Sequence, residues 1–262
     1  MTDRITLTYD GAVAEVRLSR PDKRNGLDAA MFAALVDAGL AIQQRRDVRA
    51  VVLHGEGPAF CAGLDFPSFL AAPEGMQHLL GRDDSDANRA QRAAWVWQEL
   101  DVPVYAALHG AVFGGGLQVA LGADVRYASP DARLSVMEAR YGLVPDMALT
   151  QTLLRLVRAD VAFDLVTTAR VLDAAEAASL GLVTRVVDDP LATARAAAHA
   201  AAAMSPHAVR AAKVLLRDAP DLPRRDALAL EQRLQEALLG SPNQIEAVMA
   251  TLAKRPPVFV DP

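Results

Sequence analysis

The chain has one cysteine, Cys61, in 262 residues, so no internal disulfide can form, and that scarcity fits a reducing, cytoplasmic setting. No apolar run approaches the roughly 20 residues that span a bilayer. The start, Met1-Thr2-Asp3-Arg4-Ile5-Thr6, lacks the apolar stretch of a secretory signal, and no membrane association is expected. A basic excess is missing too. Lys and Arg number 27 against 32 Asp and Glu, a net charge of −5, which argues against nucleic acid as a partner. A small anionic ligand held by a few local cations stays compatible with that balance. Histidine is sparse, and His54 and His109 have no third ligand or base at a suggestive spacing; both are read as structural, and no metal is expected. There is no internal repeat and no G-x-G-x-x-G dinucleotide fingerprint. What is plentiful is apolar side chain: 52% of the residues, enough for a buried core in one large domain or two small ones.

Ile5 to Tyr9 and Ala12 to Leu18 alternate apolar and polar residues about Asp10-Gly11, a hairpin signal. After a polar turn, Asp28 is placed to N-cap a helix reaching about Arg46, with Met31, Leu35, Ala38 and Ile42 on one face. Ala50 to His54 and Val102 to Leu108 are short apolar runs, read as buried strands. Val125 to Ala128 and Leu134 to Val136 predict two more, and Leu117 to Leu121 a helix. From Phe66 to Leu100 the chain is mixed, broken by Pro73, Gly75 and Gly81 and by the polar Arg82-Asp83-Asp84-Ser85-Asp86; a helical pattern resumes at Trp95, Val96 and Leu100. Such an insertion beside a site often serves as a lid or substrate loop. From about Leu149 onward the pattern is helical, alanine-rich between Ala192 and Met204, where a tightly packed helix is expected. Strands alternating with helices predict an α/β fold with parallel pairing.

Two segments carry most of the chemistry. Ala59-Phe60-Cys61-Ala62-Gly63-Leu64-Asp65 and His109-Gly110-Ala111-Val112-Phe113-Gly114-Gly115-Gly116-Leu117-Gln118 each follow a strand-like run and place glycine where the chain must turn. Such turns leave backbone N–H groups free. If the two turns meet in space, their amides converge on one oxygen and stabilise a developing anion. The competing reading of Gly114 to Gly116 is close strand–helix packing alone.

In order along the chain, Arg20-Pro21-Asp22-Lys23-Arg24-Asn25-Gly26-Leu27-Asp28, the two glycine segments, Ala123-Asp124-Val125-Arg126-Tyr127-Ala128, Gly142-Leu143-Val144-Pro145-Asp146, Ala178-Ser179-Leu180-Gly181-Leu182-Val183 and Lys254-Arg255-Pro256-Pro257-Val258-Phe259 together resemble the crotonase, or enoyl-CoA hydratase/isomerase, superfamily. The resemblance covers nearly the whole chain. It implies an α/β crotonase-like spiral of ββα units, residues 1–190, holding a CoA-thioester site. A helical C-terminal region, 191–262, would mediate assembly into a homotrimer or a dimer of trimers and help cover CoA. It implies an acyl-CoA substrate with no separate cofactor. The amides of Leu64 and Gly115 resemble the family's pair on the thioester carbonyl. Ala62 and four cations, Lys23, Arg24, Lys254 and Arg255, fall in motifs that contact CoA; ordinary surface charge is the alternative for each cation.

The acid–base residues depart from the hydratase pattern. The first of the two hydratase glutamates corresponds to Gln118, which can hydrogen-bond a water but cannot take its proton. The second corresponds to Glu138. Dienoyl-CoA isomerases of the superfamily carry a Glu and an Asp spaced like Glu138 and Asp146, and they also carry an Asp where this chain has Gln118. The resemblance therefore tilts toward a double-bond shift, with hydration by Glu138 alone, or a non-catalytic CoA-binding protein, as alternatives. Asp146 also reads as an N-cap for a helix starting near Met147, and Glu138 as a solvated or salt-bridged loop residue. Asp65 is expected to order the turn after Leu64, Cys61 to be a packed core thiol, and Trp95 and Trp97 to line an acyl pocket or simply to pack.

Overall fold

The structure is a computed structural model that describes residues 3–72, 74–82 and 85–262. Pro73 and Asp83-Asp84 of the mixed segment lie outside the described residues. The expected hairpin is formed by β1 (Ile5–Asp10) and β2 (Val13–Leu18), with Asp10 opposite Val13. The helix α1 (Ala29–Gln43) starts where expected: the Asp28 carboxylate accepts the Met31 N–H at 2.8 Å, and Arg4 holds the same carboxylate at 2.8 Å. It buries Met31, Leu35, Ala38 and Ile42 and ends short of Arg46.

β3 (Ala50–Gly55) is followed by α2 (Phe66–Ala71), α3 (Glu74–Leu79) and α4 (Arg89–Glu99). Much of the segment expected to be irregular is thus helical. Side-chain caps start two of these helices: Asp65 accepts from the Ser68 amide, and Asn88 and Gln91 bond each other's backbone reciprocally. Next come β4 (Val104–Leu108), β5 (Ala111–Phe113), α5 (Gly115–Leu121), β6 (Val125–Ala128) and β7 (Arg133–Ser135). A 3-10 turn (Glu138–Tyr141), α6 (Leu149–Thr152), α7 (Ala159–Thr168), β8 (Leu172–Asp173), α8 (Ala174–Ser179) and β9 (Arg185–Val186) follow. The chain closes with α9 (Pro190–Ala202), α10 (Pro206–Asp218), α11 (Arg224–Leu238) and α12 (Pro242–Leu252).

The strands form two sheets. The larger has the order β1-β2-β3-β4-β6-β9, parallel from β2 onward, and the smaller the order β5-β7-β8. The unit β1-β2-α1 gives both strands to the large sheet; after it β4 joins the large sheet and β5 the small one before α5, and β6 and β7 repeat that division. This is the crotonase-like spiral. At the centre of the large sheet β3 and β4 are covered on both faces, which is why they read as unbroken apolar runs, whereas β1 and β9 at its edges are largely exposed. Val51, Leu53, Val104 and Leu108 join the main core with α1 and α4. Ala50, Val52 and Ala107 face Ala194, Ala198 and Ala202 of α9, whose small side chains let helix and sheet approach closely. Lys213 pins α10 from inside: its buried ammonium donates to Trp97 O, Val102 O and Asp124, each at 2.9 Å. Among the described residues no helix is long and apolar enough to cross a membrane.

Candidate active site

The two glycine turns meet. Because β3 and β4 run parallel, both chains leave the sheet at the same edge. They are then joined by backbone hydrogen bonds: Phe60 N–H to His109 O (2.9 Å), Cys61 N–H to Ala111 O (3.1 Å) and Phe113 N–H to Cys61 O (3.0 Å). Gly63 sits at the crossing with φ +88°; a Cβ there would lie 2.7 Å from Phe113 O and 3.7 Å from Gly115 N. Gly114 (φ +51°, ψ −124°) makes the second turn and leads into α5. That conformation is open to glycine and strained for other residues. Leu64 and Gly115 both line a cavity of about 300 Å³, and the N–H of neither donates to any described residue. Gly115 is the first residue of α5, where the N–H has no intrahelical acceptor and the helix dipole favours an anion.

Buried Asn25 braces the first turn. Its Nδ2 donates to Glu56 O (2.9 Å) and Ala59 O (2.8 Å), and its Oδ1 accepts from Arg20 N–H (2.8 Å). Asn25→Ala leaves one buried and two part-buried backbone groups without their partner, and a buried orphan costs about 1–3 kcal/mol. We expect a loss of about 1–3 kcal/mol in urea unfolding, with activity falling alongside.

Glu138 is buried rather than solvated or salt-bridged, only 9% exposed. Its Oε1 accepts from Gln118 Nε2 at 2.6 Å and abuts Gly114, whose Cβ, if present, would lie 3.3 Å away. Burial raises the Glu138 carboxyl above its ordinary range, and the negative charge of Asp146 adds to the rise. Asp146 does not cap a helix: α6 begins at Leu149, and the residue before it, Ala148, is left-handed and makes no side-chain cap. Asp146 instead lines the cavity near its mouth, and the packing around it raises its carboxyl too. Gln118 links the two carboxyl-bearing segments, because its Oε1 accepts the Met147 N–H at 2.9 Å while its Nε2 holds Glu138. No local signal in the sequence marks that double attachment.

Ala62 lines the cavity, and its N–H donates to Arg24 O at 2.9 Å, tying Lys23 and Arg24, both exposed, to the same turn. Lys254 and Arg255 do not line it; Arg255 is paired with Glu246 at 2.6 Å. Trp95 and Trp97 do not line it either, and Trp97 is fully buried with its N–H on Ala93 O. The apolar wall comes from Phe32, Leu79, Leu80, Ala90 and Met137, which the sequence pattern did not single out. Asp65 orders its turn as expected, through Ser68 and through Arg20 at 2.8 Å. Cys61 is a core thiol: it donates to Asn25 O, and burial pushes it up to about 12, away from any nucleophilic form. His54 bonds Glu15 and His109 bonds Gly57 O, both outside the cavity lining. Among the described residues no group of three or more His, Cys, Asp or Glu could hold a metal.

A ββα spiral that gathers two glycine turns and two carboxyls at one apolar cavity defines a crotonase-type enzyme. The chain belongs to the enoyl-CoA hydratase/isomerase family, whose model matches residues 8–262. It is 30% identical over 246 residues to an enoyl-CoA hydratase of Mycobacterium tuberculosis, covering 93% of this chain and 91% of the relative. It is also 30% identical over 262 residues to the peroxisomal Delta(3,5)-Delta(2,4)-dienoyl-CoA isomerase of Arabidopsis thaliana, covering 95% and 93%. The crystal structure of an enoyl-CoA hydratase from Bacillus anthracis superposes with a TM-score of 0.90 at 28% identity, covering 98% of each chain.

Proposed function

We propose that the protein acts on acyl-CoA thioesters and shifts a carbon–carbon double bond through a thioester enolate, with no cofactor beyond the CoA its substrate carries. The observation that carries this reading is Gln118. Its amide is engaged at both ends, by Glu138 and by the Met147 N–H, and an amide cannot take a proton from water. The acid–base pair facing the cavity is therefore Glu138 and Asp146. One carboxylate removes a proton from the carbon beside the thioester carbonyl. The electron pair moves onto the carbonyl oxygen, where the Leu64 and Gly115 amides hydrogen-bond the enolate. A protonated carboxyl then returns a proton farther along the conjugated chain, the carbonyl re-forms, and the double bond has moved with no atom gained. Carboxyls raised toward neutrality suit this exchange better than ordinary ones.

Hydration of a 2-enoyl thioester by Glu138 alone is the second reading; Glu138 Oε2 accepts from no described residue and could hold a water. Lys23 and Arg24 are our candidates for the CoA phosphates. The exposed apolar residues of α11 and α12, among them Leu228, Ile245, Met249 and Leu252, support a trimer or dimer of trimers, in which Lys254 and Arg255 would cover CoA. The test is to incubate the protein with 3-enoyl-, 3,5-dienoyl- and trans-2-enoyl-CoA. Growth of conjugated-enoyl absorbance at unchanged mass in ordinary water, and a mass gain from deuterium uptake when the reaction is run in heavy water, is expected for the first two. Addition of one water to the 2-enoyl thioester would replace isomerisation by hydration. Binding without turnover of any of them would leave a CoA-binding protein and no enzyme of this kind.

A further inference from the structure

We infer that a second cavity, at the other end of α5 from Gly115, binds a small organic monocarboxylate through Arg126. This cavity measures about 420 Å³ and shares no described lining residue with the first. It lies between the C-terminal ends of α4 and α5 and one stripe of α10, where Val209, Ala212, Lys213 and Leu216 recur at helical spacing. Arg126 of β6 lines it and is only 4% exposed. Its Nε donates to Leu182 O at 2.7 Å and its Nη1 to Ala123 O, both neutral carbonyls. Its Nη2 donates to no described residue, yet packing does not seal it off. Burial lowers the guanidinium to about 10, which leaves it cationic at neutral pH.

A count of the charges fixes the class of ligand. The carboxylate that attracts Arg126 is Asp124, and Asp124 already bonds Lys213 at 2.9 Å. Lys213 is an ammonium, because it serves three acceptors and a neutral amine has only two N–H groups to give. Two buried cations therefore share one carboxylate. Arg155 and Arg217 also line the cavity, but they are matched by Asp221 and Asp218. One positive charge is left over, and a buried charge without a partner is costly. A monoanion cancels it, whereas a dianion such as phosphate would bury the opposite surplus. A carboxylate oxygen on Nη2 makes a charge-assisted hydrogen bond. Leu121, Leu156, Val209 and Leu216 offer apolar surface to the carbon body behind it.

Hexanoate is the probe, titrated calorimetrically into the whole protein beside hexan-1-ol and inorganic phosphate. The acid is expected to bind at least about tenfold tighter than either, the margin of one charge-assisted hydrogen bond. That preference also tells the two cavities apart, because the charged lining groups of the first are the carboxyls Glu138 and Asp146, which favour the alcohol. Arg126→Gln is expected to erase the preference for the acid. Ala212→Phe, at an exposed position of α10, fills the cavity while keeping Arg126 and is expected to abolish hexanoate binding; it decides the matter if the first variant does not fold. Equal binding of acid and alcohol, phosphate as tight as hexanoate, hexanoate binding unchanged in Ala212→Phe, or no binding at all would overturn the inference. None of these outcomes bears on the acyl-thioester reading, which concerns other residues.

Discussion

Gly115→Pro is expected to lower kcat/KM about a hundred- to a thousandfold relative to Gly115→Ala, the usual loss when one donor is removed from a site that holds a developing oxyanion. The comparison tests the donor position: proline removes the N–H and also puts its Cδ where that N–H pointed, whereas alanine keeps the donor. Either replacement adds a Cβ, and at this position a Cβ would lie 2.8 Å from both Leu27 Cδ1 and Met147 Sδ, so both variants must shift the same neighbours. Only proline removes the donor. The backbone tolerates it better here than almost anywhere else in the chain, because residue 115 opens α5 and its N–H has no intrahelical acceptor to lose. The residue before a proline is sterically restricted, and that residue is Gly114, with no Cβ to clash. Steady-state kinetics on both variants, with their melting curves compared, gives the ratio. A ratio near one at matched stability would mean that the Gly115 amide does not bear the charge, and Leu64 would be left as the sole backbone donor of the pair.

The places where sequence reading succeeded and failed have different physics. β3 and β4 are legible because burial on both faces writes continuous apolar runs, and α1 because one buried face writes a helical period behind an N-cap. The alanine-rich stretch is legible for the same reason, Ala194, Ala198 and Ala202 lying one turn apart against the sheet. Within residues 66–100 the period at Trp95 and Val96 does mark α4, but α2 and α3 leave little trace because short helices carry little periodicity; the start signals, Asp65 and the Asn88–Gln91 box, are single residues among glycines and charges. Asp146 shows a sharper limit. After Pro145 it has every local mark of a cap, but Ala148 takes a left-handed conformation at φ +60°, the helix starts later, and the carboxyl is left to the cavity. The burial of Glu138 is likewise set by partners far along the chain, Gln118 and Gly114, and no local pattern contains it.

Glu138→Gln is expected to cut turnover a hundredfold or more while raising the melting temperature at neutral pH. General acid–base catalysis by a positioned side chain contributes about 10²–10⁴-fold, and an amide cannot substitute for it. The geometry survives the change, since a Gln at 138 still offers an Oε1 to accept from Gln118 Nε2. The stability gain follows from the direction of the shift. The folded-state carboxyl lies above its unfolded value, so folding favours the protonated form. The stability this contributes is complete below the unfolded pKa of about 4.3 and is lost as pH rises through the folded one. Above the folded pKa the native protein must hold an ionised carboxylate that burial solvates poorly, and the neutral amide removes that penalty. Melting curves of the two proteins should therefore separate near neutrality and converge in acid. Asp146→Asn supplies the companion measurement: with the neighbouring charge gone, the Glu138 carboxyl falls, and the acid limb of any residual kcat/KM profile moves to lower pH. An active Glu138→Gln enzyme would remove Glu138 from the chemistry. An inactive variant no more stable than the parent at pH 7 would mean that the buried carboxyl is not strained, and that its proton affinity is set by something other than burial and Asp146.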